Sequence, residues 1–193
     1  MLKTRVPQAA LVLALASSAL AADERPDVGA NVIVQSAADE IRSAANTDIA
    51  LIGAGFLKDI LSGGDLAAIL QYPTDEIVVL NLTGEQIRQA LERSISLYPQ
   101  RNSSFLQLSG VEVTFKRNGA PNNRITSVTV GNSALSDGKT YSVAMPELLA
   151  KGGLGYFMIW DQSKVAKRLG RTVESVLKGK RAGEGTPRWS AQG

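Results

Sequence analysis

The 193 residues contain neither histidine nor cysteine. Ser-His-Asp and Cys-His chemistry therefore lack a proton shuttle that titrates near neutral pH. The ordinary zinc, copper and haem ligand sets are missing as well. Carboxylates, Lys, Tyr and hydroxyls remain for chemistry. Asp39-Glu40 and Asp75-Glu76 are adjacent carboxylates. Neighbours in a strand point to opposite faces, and in a helix they lie about 100° apart, so neither pair is placed for acid–base work. Ser163-Lys164 reads as a surface coincidence, not a nucleophile–base dyad. No catalytic residue, metal site or cofactor follows, and in an enzyme family such a chain carries the part that binds.

The charge pattern adds exclusions. Lys3 and Arg5 precede an apolar run, Ala9 to Ala16, and Ala19-Leu20-Ala21 is an A-x-A site. This is the layout of a secretory signal peptide over 1–21, too short to span a bilayer, which takes roughly 20 apolar residues. Export to a periplasmic or extracellular space is expected, with no membrane attachment after cleavage. The chain carries 21 basic and 18 acidic residues. Without Lys3 and Arg5 the balance is 19 against 18, or +1, which gives no electrostatic case for nucleic acid. The basic residues around Lys164, Lys167, Arg168, Arg171, Lys178, Lys180 and Arg181 read as a solvated helix face and tail.

The elements that must position any site can be read from periodicity. Residues 22–30 are polar and loop-like. Asn31 to Ala45 places Val34, Ala37, Ala38 and Ile41 on one helix face. Ile49 to Ile52 is a continuous apolar run, the mark of a strand buried on both faces, and it ends at Gly53-Ala54-Gly55, a turn that admits close approach. Asp65 to Leu70 reads as a short helix and Glu76 to Leu82 as a strand. Thr83 and Gln86 form a capping box that opens a helix to about Leu97. From Phe105 the period becomes two: Val111 to Phe115, a turn at Asn118-Gly119, Ile125 to Val130, and Thr140 to Met145. Gly152 to Gly155 reads as a flexible loop. Thr172 caps a last helix to about Lys178. Trp160 reads as a core anchor. The tail 179–193, with Trp189 in it, reads as loose. Helices early and strands late give an α+β class in one domain over 31–178.

Six segments in order carry a family resemblance. They are Asp48-Ile49-Ala50-Leu51 before the glycines, Gly64-Asp65-Leu66, Leu82-Thr83-Gly84-Glu85-Gln86-Ile87, Phe105 to Gly110, Asp137 to Tyr141, and Leu149 to Tyr156. Together they resemble the C-terminal, substrate-specificity domain of the 5′-nucleotidase family over about 25–178. The resemblance implies an α+β domain with a mixed or antiparallel sheet and packed helices. It also implies a fold that binds base and ribose, while a separate N-terminal metallophosphatase domain holds two metal ions. The 193 residues leave no room for that second domain, and the absence of His agrees.

Carried over by resemblance, the ligand pocket falls on Gly53, Gly55, Phe56, Lys58, Tyr72, Asp75, Leu148, Gly153 and Leu154. The family's Asn before its glycines falls on Gly53, and its following Arg on Lys58, which loses the planar fork. Tyr72 beside Pro73 stands in for one stacking aromatic, and Leu148 replaces the other. The family's Asp in G-G-D-G becomes Leu154, whose side chain cannot accept a hydrogen bond. Arg25 falls near the family's first pocket Arg. Base stacking is worth about 1–3 kcal/mol per base, so these changes predict a degraded nucleoside pocket. Its apolar residues either close the old cleft as packed core or line a site for a changed, more apolar ligand. Two functions follow from the resemblance. One is an exported, stand-alone, non-catalytic ligand-binding or interaction module. The other is the specificity subunit of a split 5′-nucleotidase, serving a separate metallophosphatase chain in nucleotide catabolism. Hydrolysis by this chain alone is disfavoured by its composition.

Overall fold

The computed structural model describes residues 25–58 and 64–193. The signal peptide read at 1–21 lies outside the described residues. Among the described residues no helix is long and apolar enough to cross a membrane.

A mixed five-stranded sheet organises the chain. Its strands are β1 (Ile49–Gly53), β2 (Glu76–Thr83), β3 (Leu106–Ser109), β7 (Thr140–Pro146) and β8 (Val165–Thr172), in the order β3-β1-β7-β2-β8. β1 runs parallel to β7, and the other pairings are antiparallel. A second sheet holds β4 (Val111–Ala120), β5 (Asn123–Val130), β6 (Ser133–Ala134) and β9 (Trp189–Gln192), in the order β6-β5-β4-β9.

The five-stranded sheet is covered on both faces. Ala50, Ile52, Ile77 and Val79 pack with Val34, Ala38 and Ile41 of α1 (Val32–Ala45), and with Val173 and Val176 of α4 (Val173–Leu177). Ile49, Leu51, Val78 and Leu80 point the other way, toward Ile87 and Leu91 of α2 (Gly84–Ser94) and toward Val113 and Phe115 of the second sheet. This alternation explains why β1 is apolar throughout: every residue of it is buried. The expected α+β domain with mixed sheets and packed helices is thus present.

Side-chain caps fix where the two longer helices begin. Asn31 caps α1 by accepting the Val34 N–H at 3.1 Å. Thr83 and Gln86 complete the capping box of α2, with Gln86 Oε1 accepting the Thr83 N–H and Thr83 Oγ1 the Gln86 N–H.

Several expectations are corrected. α2 stops at Ser94, short of Leu97. The hairpin turn sits at Pro121-Asn122, where Asn122 takes φ 59°, and Asn118-Gly119 lies inside β4. The basic stretch around Lys167, Arg168 and Arg171 is the edge strand β8, not a helix face. Gly152 to Gly155 is a left-handed turn, with φ 87° at Gly152, 57° at Leu154 and 81° at Gly155.

The tail 179–193 is not loose throughout. Trp189–Gln192 adds a parallel strand beside β4, with Val113 opposite Trp189. The Trp189 ring is buried 5.1 Å from Phe105 and 6.0 Å from Phe115, and its Nε1 donates to Leu106 O at 2.8 Å. Arg188 adds an ion pair to Asp39 at 2.7 Å. The polar, Gly-rich composition of the tail hid one anchor that fills the gap between the sheets.

Candidate functional site

The residues picked out from sequence come mostly from three chain segments that meet at the end of β1. The first is the turn after β1. Gly53 ends the strand, and Ala54–Phe56 form a single 3₁₀ turn. Ala54 N–H donates to Phe105 O and Gly55 N–H to Ser103 O, both at 2.8 Å. The second is the stretch before β2, with Tyr72 and Asp75. The third follows β7. There α3 (Glu147–Ala150) carries Leu148, and Gly152 at φ 87° turns the chain into Gly153-Leu154-Gly155.

Leu154 is the centre of the arrangement. Its side chain lies against both glycines of the first turn. A Cβ on Gly53 would overlap Leu154 Cδ1, and one on Gly55 would come within 2.6 Å of Leu154 Cδ2. A side chain at 53 or 55 would therefore have to push the Leu154 methyl groups aside. A Cβ on Gly153 would in turn press on Leu148 O at 2.5 Å and on Phe56 Cζ at 3.0 Å. Leu154 takes φ 57°, ψ 21°, the left-handed region that costs a Cβ-bearing residue roughly 1–2 kcal/mol. Its carbonyl is held by two donors, Arg93 Nη2 at 2.9 Å and Ser104 Oγ at 2.8 Å.

The other residues divide by exposure. Phe56 and Leu154 are half-buried against the main core. Tyr72 is 46% exposed and Leu148 38%, so these two are not core filler. Tyr72 meets Phe56 edge-on, with centroids 6.0 Å apart at 81°. Asp75 Oδ2 accepts the Leu148 N–H at 3.0 Å, which ties the second segment to the third. Burial raises the Asp75 carboxyl above its ordinary value, and the nearby Glu147 charge adds to this against the Leu148 hydrogen bond.

Lys58 stands apart from Leu154, on the rim of an open cleft of about 490 Å³. Gly55 forms one wall of that cleft, joined by Arg25, Asp27, Gln71, Arg101 and Ser103. Pro26, Ala54 and Leu57 add apolar surface to these polar walls. Asp27 pairs with Arg101 at 2.6 Å and Arg25 at 3.3 Å. Burial works against the Asp27 carboxylate, but the two guanidiniums outweigh it and hold it below the usual range. Three cations around one carboxylate leave the cleft net positive. Among the described residues no group of three or more carboxylates is arranged to hold a metal ion.

Sequence reasoning missed Arg93, Ser104 and Arg101. Arg93 falls in the polar stretch Glu92-Arg93-Ser94 at the end of α2, and nothing in the local pattern marks it as reaching inward. Its guanidinium lies over the Tyr156 ring, 5.4 Å from the centroid, and Tyr156 stacks on Trp160 at 4.8 Å.

Comparison with known proteins agrees with this architecture. The family described as "5′-nucleotidase, C-terminal domain" matches residues 13–161. A 5′-nucleotidase-related protein of Glossina morsitans morsitans is 34% identical over 131 residues, covering 60% of this chain and 23% of that protein. A trifunctional nucleotide phosphoesterase protein of Bacillus subtilis is 29% identical over 142 residues, covering 69% and 10%. The crystal structure of a 5′-nucleotidase precursor from Thermus thermophilus superposes with a TM-score of 0.70 at 24% identity, over 87% of this chain and 37% of that one. The chain thus spans well under half the length of each.

Proposed function

The chain belongs to the 5′-nucleotidase C-terminal domain family, and from that premise we propose that it is an exported, non-catalytic ligand-binding module whose nucleoside pocket is closed. One observation carries the reading: the Leu154 side chain lies against Gly53 and Gly55, the positions where the family resemblance puts the ligand. A nucleoside there would have to displace Leu154 and would gain no hydrogen bond from its side chain. Unpaired polar groups on the ligand would cost about 1–3 kcal/mol each. The ligand space left open is the adjoining cleft, whose Arg25, Lys58 and Arg101 favour a small anion-bearing molecule. Export rests on the basic start, apolar run and A-x-A site of residues 1–21.

A thermal-shift screen of the purified chain tests this, because a ligand of the folded state raises the midpoint by mass action. Small anions are expected to raise it and adenosine is not. No phosphate is expected from AMP with added divalent metal. Metal-dependent phosphate release by the pure chain would overturn the non-catalytic reading.

A second reading has one observation in its favour. Phe157 and Met158 are 65% and 81% exposed and follow directly on Leu154-Gly155-Tyr156. Exposed apolar side chains beside a site suit a protein partner, here a separate metallophosphatase chain of a split 5′-nucleotidase. Co-expression with such a chain would then give a complex that releases phosphate from AMP. Absence of a complex removes this reading.

A further inference from the structure

Among the described residues half-buried Arg93 makes no ion pair, and its Nε atom is buried with no hydrogen-bond partner. A polar atom withdrawn from water is ordinarily hydrogen-bonded, because leaving it unpaired is costly. Its only near partners are neutral: Leu154 O at 2.9 Å, Ser104 Oγ at 3.5 Å and the face of Tyr156. Nε and Nη2 share one edge of the guanidinium, the edge that grips two oxygens of a carboxylate or phosphate side by side. Here Nη2 donates to the Leu154 carbonyl, and Nε has no hydrogen-bond partner among the described residues.

The group that occupies the edge is itself held under strain. Leu154 sits in the left-handed region between Gly152 at φ 87° and Gly155 at φ 81°. Gly155 must lack a side chain, since a Cβ there would overlap Arg93 Nη2. Ser104 donates to the same carbonyl at 2.8 Å, so two donors converge on one neutral oxygen. Behind them the Tyr156 hydroxyl donates to Ser104 O at 2.6 Å, and Trp160 Nε1 to Leu149 O at 2.9 Å. The donors have a rigid backing, while the acceptor lies on a strained segment flanked by glycines.

We propose that Arg93 and Ser104 form an oxyanion subsite, occupied in this closed state by the Leu154 carbonyl and opened to a carboxylate or phosphate when the Gly152–Gly155 segment swings away. The subsite builds on the closed pocket of the preceding reading but uses donors that reading does not. Binding to the wild type is weakened by the fraction of time the segment is open, so any change that favours opening tightens it. Leu154→Ala favours opening, because it removes the side chain that rests on Gly53 and Gly55 and keeps the Cβ strain that opening relieves.

The experiment is calorimetric titration of the full chain with inorganic phosphate and, in a separate arm, acetate. Leu154→Ala is expected to bind at least one of them about tenfold or more tightly than wild type, the gain that a shift toward the open state gives. Adding Arg93→Lys, which keeps the charge but loses the fork, should abolish the gain. The arm showing the gain identifies the oxyanion as tetrahedral or planar. Should Leu154→Ala fail to fold, Leu154→Ser serves, since it also drops the contacts with Gly53 and Gly55 and keeps a Cβ. An affinity equal to wild type in both arms, or a gain that survives Arg93→Lys, overturns the proposal. Adenosine binding by the wild type would count against the closed pocket and not against this subsite.

Discussion

The carboxylate of Asp75 accepts the backbone N–H of Leu148 at 3.0 Å, joining the stretch before β2 to the helix after β7. Burial and the Glu147 charge hold that carboxyl above its ordinary value. The folded protein therefore keeps the Asp75 proton more tightly than the unfolded chain does. Stability from this group is fully present below the ordinary Asp value, about 4, and falls as pH rises through the raised folded value. Asp75→Asn keeps an acceptor for Leu148 and removes the charge. Its thermal midpoint at neutral pH should equal or exceed that of wild type, and the advantage should vanish as pH is lowered toward about 4. Thermal scans across that range check it, and a variant far less stable at neutral pH would contradict it.

The strained backbone at Leu154 gives an inverted ranking of two substitutions. Leu154→Ala loses the contacts with Gly53 and Gly55 but keeps a Cβ at φ 57°. Leu154→Gly loses the same contacts and is relieved of the strain. Glycine is ordinarily the worse of the two for stability. Here Leu154→Gly should be the more stable by about 1 kcal/mol, read by denaturant unfolding. The ordinary order would show that the left-handed conformation is not held in solution.

Trp189 tests the tail. Its ring fills space between Phe105 and Phe115, and β9 closes one edge of β4. Trp189→Ala should cost about 3–5 kcal/mol, a fall in midpoint on the order of 10 °C for a domain of this size. A change too small to detect would mean that the tail is not docked.

The α2 cap offers a smaller, local check. Thr83→Ala removes the acceptor for the Gln86 N–H and should cost about 1 kcal/mol, while the Leu154 contacts with Gly53 and Gly55 stay as they are. Denaturant midpoints at unchanged slope would show this.

Legibility followed the range of each interaction. The capping box at Thr83 and the both-face burial of β1 are local patterns, and the chain writes them directly. The glycines at 53 and 55 were legible as places of close approach, but not that Leu154 is what approaches. β8 escaped because Lys167, Arg168 and Arg171 mask its alternation. An edge strand tolerates such charge, and Arg168 spends it on Glu76 and Glu147. Trp189 escaped because one residue in a polar tail carries no periodicity, and its partners lie far off in the chain: its Nε1 bond to Leu106 spans 83 residues. The charges of the Lys58 cleft were not legible because Arg25, Asp27 and Arg101 join it from distant loops. The inward reach of Arg93 likewise depends on tertiary neighbours, Tyr156 and Leu154, that no local pattern announces.

The central claim is that Leu154 shuts the inherited nucleoside pocket. Calorimetric titration of the wild-type chain with adenosine tests it most directly. No measurable heat of binding up to about 100 μM ligand, a free energy weaker than roughly −5.5 kcal/mol, is the expected result. Saturable one-to-one binding at low micromolar concentration would contradict it.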